Sequence, residues 1–94
     1  MQIKFSKSFS QRLNDQVDYI ANDKPIADRK FKSEIIARIK QIPQVPYSNR
    51  KSVFFNRNDI RDLIYKGYVV VYKINEVDKS IEVFGFVKWE ENSF

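Results

Sequence analysis

A single change of hydrophobic period constrains this chain more than anything else in it. Up to Ile42 the apolar residues recur every three or four positions, and beyond the "PQVP" of residues 43 to 46 they alternate. The first spacing keeps one stripe of a helix apolar, and the second keeps one face of a strand apolar. The order is therefore helices first, sheet second. Neither layer buries its apolar side alone, so the helices must pack on one face of the sheet in an α+β fold. The 94 residues supply one core, since a chain this short buries only about 60 to 65% of its unfolded surface. Residues 1–94 are read as one domain.

The elements follow from local signals. "QIKF" (2 to 5) is a short strand, and Ser8 with Gln11 has the spacing of a capping box, which predicts a helix from near Ser8. Phe9, Leu13, Val17 and Ile20 form its stripe. In "NDKP" (22 to 25), Asn22 or Asp23 can cap a second helix with Pro25 in its first turn. Its stripe is Ala27, Phe31, Ile35, Ile39 and Ile42, and the prolines beyond end it. Two helices so closely joined form an antiparallel hairpin.

After a polar loop, the strands are "SVFF" (52 to 55), "IRDLIY" (60 to 65), "YVVVYKI" (68 to 74) and "SIEVFGFVKW" (80 to 89). The turns between them are short enough to join antiparallel neighbours. The expected sheet has three or four antiparallel strands, with the short N-terminal strand and the helical hairpin beside it. Alternation points Tyr68, Val70, Tyr72 and Ile74 toward the helices and leaves Val69, Val71 and Lys73 on the open face.

The chain has no cysteine and no histidine. That removes disulfides, thiolate and imidazole metal sites, Cys and Ser-His nucleophile pairs, and histidine acid-base chemistry. No cofactor is expected. No apolar run approaches the ~20 residues of a membrane span, and "MQIKFSKSF" lacks the apolar core of a signal peptide. The expected location is the cytoplasm, with no membrane partner. A net charge of +5 favours acidic partners, protein or nucleic acid. Residues 1 to 51 carry 11 Lys/Arg against 5 Asp/Glu, and the remainder carries 6 against 7, so the basic surface belongs to the first half.

A helical hairpin containing "YIANDKPIADRKF", then a proline-bounded loop, then "IRDLIYKGYVVVYKI" and "IEVFGFV", resembles the RelE/ParE toxin superfamily of bacterial type II toxin-antitoxin modules. The resemblance covers nearly the whole chain and implies the same order of helical hairpin and antiparallel sheet. It also implies a cognate antitoxin as partner, folding as it binds, and a toxin-antitoxin hetero-oligomer. Two activities occur in the superfamily. RelE-like members cut mRNA on the ribosome, for which basic residues offset charge developing at phosphorus. They usually carry an Arg directly after the Gly-Tyr pair, where this chain has Val69, and a terminal Tyr, where it has Phe94. ParE-like members act on DNA gyrase without such a site, and the helical hairpin of residues 9 to 42 looks more like theirs. Many of them end the last strand with His-Arg, whereas Lys88 and Trp89 stand here. The ParE-like reading leads, as a toxin that binds its target and is not an enzyme. The RelE-like reading is the alternative, and a nontoxic RNA-binding or scaffold domain on the same fold is the second alternative.

Candidate residues divide accordingly. An mRNA endonuclease would have to use Arg61, Lys66, Lys73 and Lys88 as its cations. A partner would be held by Val69, Val71, Lys73, Lys88 and Trp89, because exposed β-branched residues call for a cover and Trp anchors interfaces. Arg29, Lys32, Lys40, Arg50 and Lys51 form the best basic patch. Arg61 and Lys66 also read as solvated strand-end charges, Tyr68 and Tyr72 as core or as base-stacking rings. Arg38 lies within the apolar stripe and is expected to snorkel or to pair with Glu34, one helical turn away.

Overall fold

The computed structural model describes residues 1–23 and 25–89, and their side chains outside positions 21 to 28. The expected cap at Asn22 or Asp23, the side chain of Ala27 and the terminal "ENSF" lie outside what it describes. Strand β1 (Gln2–Phe5) leads into helix α1 (Lys7–Asp23) and helix α2 (Pro25–Lys40). A short 3₁₀ turn, Ile42–Gln44, follows. Strands β2 (Arg50–Lys51), β3 (Ile60–Tyr65), β4 (Tyr68–Asn75) and β5 (Ser80–Lys88) complete the chain.

Helix α1 starts one residue earlier than the capping-box spacing suggests. The Ser6 hydroxyl accepts the Phe9 amide at 3.0 Å, so Ser6 fills an orphan donor of the first turn and acts as the cap. Ser8 and Gln11 are exposed inside the helix. Helix α2 ends at Lys40, ahead of the expected Ile42. Pro43 has no amide hydrogen for the Ile39 carbonyl, so the ladder cannot continue, and Ile42 enters the core from the 3₁₀ turn.

The sheet has five strands in the order β1-β5-β4-β3-β2. It is mixed, where three or four antiparallel strands were expected. The three-strand meander β3-β4-β5 is antiparallel, but β1 lies parallel to β5, with Gln2 opposite Ser80 and Phe5 opposite Val83. A meander leaves the outer edge of its last strand unpaired, and β1 fills that edge. "SVFF" is not a strand. Pairing stops at Lys51 opposite Arg61, because the Val53 amide turns inward to the carboxylate of Asp62 at 3.0 Å and the Phe54 amide to the Ser52 hydroxyl at 3.2 Å. Amides donated to side chains are lost to a ladder.

The main core lies between the hairpin and the sheet. Phe9 and Leu13 of α1 and Phe31, Ile35 and Ile39 of α2 pack on Leu63, Tyr65, Val70, Tyr72 and Ile74. Tyr68 stacks flat on Phe86 at 5.3 Å and meets Phe31 edge-on at 5.0 Å. The four residues that alternation assigned to the helices are all buried. Tyr72 is fully buried, and its hydroxyl donates to the Pro46 carbonyl at 2.7 Å while accepting from Asn49 at 3.1 Å. Burial pushes its pKa up, so it keeps the proton it donates. Tyr68 and Tyr72 are core residues.

The expected exposure of Val69 and Val71 is corrected: only 1% and 2% of their surfaces are open. Two features cover them. Residues 52 to 59 cross this face as a strap, bringing Phe55 within 5.7 Å of Phe84, which packs on Ile60, Val69 and Val71. In addition, Phe84 is the extra residue of a β-bulge, since Val71 faces Gly85 while Tyr72 faces Val83. A Cβ on Gly85 would stand 2.9 Å from the Cβ of Val71. The sheet closes over Val71 because position 85 is glycine.

Candidate functional site: the strapped sheet face

The open face is organised around a buried charge. Asp62 sits on β3 between Ile60 and Ile64, with a fully buried side chain. Its Oδ2 accepts the Val53 amide, Arg50 Nε at 3.2 Å and Arg50 Nη2 at 3.1 Å. A buried carboxylate requires such partners. Its need for them ties the edge strand and the strap to the centre of the sheet. Arg50 also stands 5.9 Å over the ring of Trp89, and Phe54 meets that ring edge-on at 5.9 Å.

The result is an apolar surface above Val69 and Val71. Val53, Phe54, Phe55, Ile64 and Trp89 are each at least 40% exposed. Of these, sequence reasoning found only Trp89. An available signal was "SVFF" followed by a charged Asp62 in the alternation between Ile60 and Ile64. Those residues together suggest a loop drawn onto the sheet, with its aromatics turned partly outward.

The four cations proposed for RNA chemistry are not brought together. Arg61 shares the parity of Leu63 and Tyr65, and its guanidinium is engaged by loop groups: the Asn58 and Asn49 carbonyls at 3.0 Å each, Asn58 Oδ1 at 2.6 Å and the Tyr47 ring at 5.1 Å. It holds a loop, beyond the solvated-end role first considered. Lys66 forms the β3–β4 turn with Gly67, both at positive φ as a two-residue type I′ turn requires. It reaches Glu34 of α2 at 3.5 Å, and the Glu34 charge raises its pKa. Lys73 lies on the open face, in register with Ile60 and Glu82. Lys88 pairs with Tyr68 on the helix-covered face, near Arg12, Asp15 and Tyr19.

Glu34 is the hub of a second charged cluster. It accepts the Tyr65 hydroxyl and faces Lys66 and, at 3.9 Å, Lys30. The Tyr65 bond first, and then the two lysines, hold its carboxyl below the usual range. Arg38 does not make the expected pair with Glu34. It is exposed and rests 5.9 Å over the Tyr65 ring.

The basic patch divides in two. Arg29, Lys32 and Lys40 line one groove on the helical hairpin, whereas Arg50 is drawn by Asp62 to the opposite sheet face and Lys51 sits in register with Arg61 on the edge strand. Among the described residues no cluster of His, Cys, Asp or Glu could hold a metal ion, and no helix is long and apolar enough to cross a membrane.

The sequence matches, over residues 3–91, the family model described as ParE toxin of type II toxin-antitoxin system, parDE. The fold is similar to a structure of the chromosomal ParDE TA system from P. aeruginosa, with a TM-score of 0.80 and 18% identity, covering 96% of this chain and 97% of that one. It is also similar to an E. coli RelE toxin mutant in complex with an antitoxin RelBc peptide, with a TM-score of 0.50 and 12% identity, covering 95% and 83%. At such identities the likeness concerns the fold. No curated protein matches the sequence.

Proposed function

The chain belongs to the ParE toxin family of type II toxin-antitoxin systems, and on that premise we propose that it arrests growth by binding DNA gyrase in the cytoplasm, until a cognate antitoxin neutralises it. The observation that carries a binding mechanism over RNA cleavage is the dispersal of the candidate cations. Arg61 and Lys88 lie toward the helix layer at opposite ends of the sheet, Lys73 lies on the open face, and Lys66 is in a turn bound to Glu34. Stabilising one phosphorane requires donors aimed at one point. Four cations on two faces do not converge there, and position 69 is a buried valine.

The strapped face supports the antitoxin part of the reading. Contiguous exposed apolar residues mark interaction sites, and Trp89, met edge-on by Phe54, offers an anchor on a face where Val53, Phe55 and Ile64 are exposed as well. Lys73 lies on the same face, where it would meet acidic antitoxin side chains. Lys88, next to Trp89 in the chain, lies toward the helix-covered side and outside this contact. Val69 and Val71 contribute from beneath, by holding Phe84 and the strap in place. The complex would be a toxin-antitoxin hetero-oligomer.

Induced expression tests this reading. Growth should stop and resume when the small reading frame adjacent to the gene is coexpressed, with cellular mRNA intact during arrest. Arrest accompanied by mRNA cut at ribosomal positions would replace the gyrase reading with the RelE-like one, and unimpaired growth would remove the toxin reading.

A further inference from the structure

A groove on the hairpin's outer side lies away from the strapped face and its proposed partners. Its volume is about 680 Å³, its floor is Val17, Ile36 and Ala37, and its rim is Arg29, Lys32 and Lys40. Val17 and Ile36 pack on the core with one side and face the groove with the other. Ile36 and Ala37 fall on what should be the polar back of α2, since the residues that turn fully inward are Phe31, Ile35 and Ile39. An amphipathic helix with apolar residues on its outer side has a second surface to cover.

We propose that this groove docks an acidic amphipathic helix of a partner protein, about three turns long, with apolar residues in the floor and Asp or Glu along both sides. Charge complementarity carries the choice. The three rim side chains form no ion pair among the described residues, and Lys32 donates only to the neutral Asn14 of α1, at 3.2 Å. They belong to the half of the chain that carries the whole positive excess. Length sets the size of the occupant, since α2 rises about 16 Å from Arg29 to Lys40 at ~1.5 Å per residue. A helix fits better than an extended segment, whose backbone amides and carbonyls would find no partner over Val17, Ile36 and Ala37. The ridge of a third helix settles between two others by ordinary helix packing. The floor also disfavours nucleic acid, because it offers no ring for a base to stack on. A second copy of the chain would bring cations against cations.

The inference stands apart from the toxin reading, so either can fail without the other. The test titrates the full chain with a labelled 14-residue peptide carrying Leu at helical spacing between Glu residues, and with its Lys-for-Glu counterpart, by fluorescence anisotropy. The acidic peptide should bind, more weakly as salt rises, and the basic one should not. K32E/K40E reverses two exposed charges without touching the core and should weaken acidic-peptide binding by about tenfold or more, with an unchanged circular dichroism spectrum. Trp89→Ala on the opposite layer should leave it unchanged. Equal binding of the two peptides, indifference to K32E/K40E, displacement by a short DNA duplex, or a dimer in solution that Ile36→Glu dissolves would each overturn the proposal.

Discussion

Single residues decide where this sheet is open. Asp62 would be costly to bury alone, by several kcal/mol for a carboxylate in the interior, and Arg50 with the Val53 amide offsets that cost. Val53 is thereby turned out of β pairing, which is why "SVFF" has the composition of a strand and the structure of a strap. Alternation gave the facing of Val69 and Val71 correctly but not their exposure, because period-two reasoning knows faces and not what crosses them. Glu34 is a different case, a partly exposed carboxylate that joins α2 to the β3–β4 turn. Its folded pKa is depressed, chiefly by the Tyr65 hydroxyl, so its stabilisation is complete above the ordinary value of 4.5 and is lost as pH falls through the lower folded value. Urea unfolding from pH 7 to pH 2.5 should therefore show part of the acid destabilisation vanish in Glu34→Gln. An identical pH profile in the variant would deny Glu34 that role.

At the scale of elements, the hairpin, the meander and their packing were legible because each rests on periodicity repeated over many residues. Phe9, Leu13, Phe31, Ile35 and Ile39 all turn inward as their spacing requires. What sequence alone missed depends on contacts between distant segments. The parallel pairing of β1 with β5 joins residues nearly 80 positions apart, and nothing in "QIKF" specifies direction. The capping-box spacing pointed to Ser8, but the cap is Ser6, whose amide still bonds the Val83 carbonyl as the chain leaves β1. The bulge at Phe84 was hidden because Gly85 resembles a flaw in a strand until Val71 is seen against it. Gly85→Ala would place a methyl group 2.9 Å from the Val71 Cβ, and overpacking of that kind costs about 1 to 3 kcal/mol. Denaturant unfolding should show a lower midpoint of that size. A variant as stable as the parent would mean that β4 and β5 can separate freely at the bulge.

The whole molecule presents two unlike surfaces on opposite layers. One is the apolar face over the sheet, framed by Trp89, Ile64 and the strap. The other is the cation-rimmed groove on the helices. Of these, sequence reasoning reached Trp89 and the rim cations Arg29, Lys32 and Lys40, but it grouped the latter with Arg50 and Lys51, which the fold sends elsewhere. Family membership rests on a match along residues 3–91, and the step from there to mechanism rests on cations that do not converge. Purified gyrase incubated with relaxed plasmid, ATP and increasing amounts of this protein provides the most direct measurement. The binding account predicts that supercoiling falls with toxin concentration and recovers when the cognate antitoxin is added; undiminished supercoiling at a large molar excess of toxin, with mRNA cleaved when the same preparation is given translating ribosomes, would contradict it.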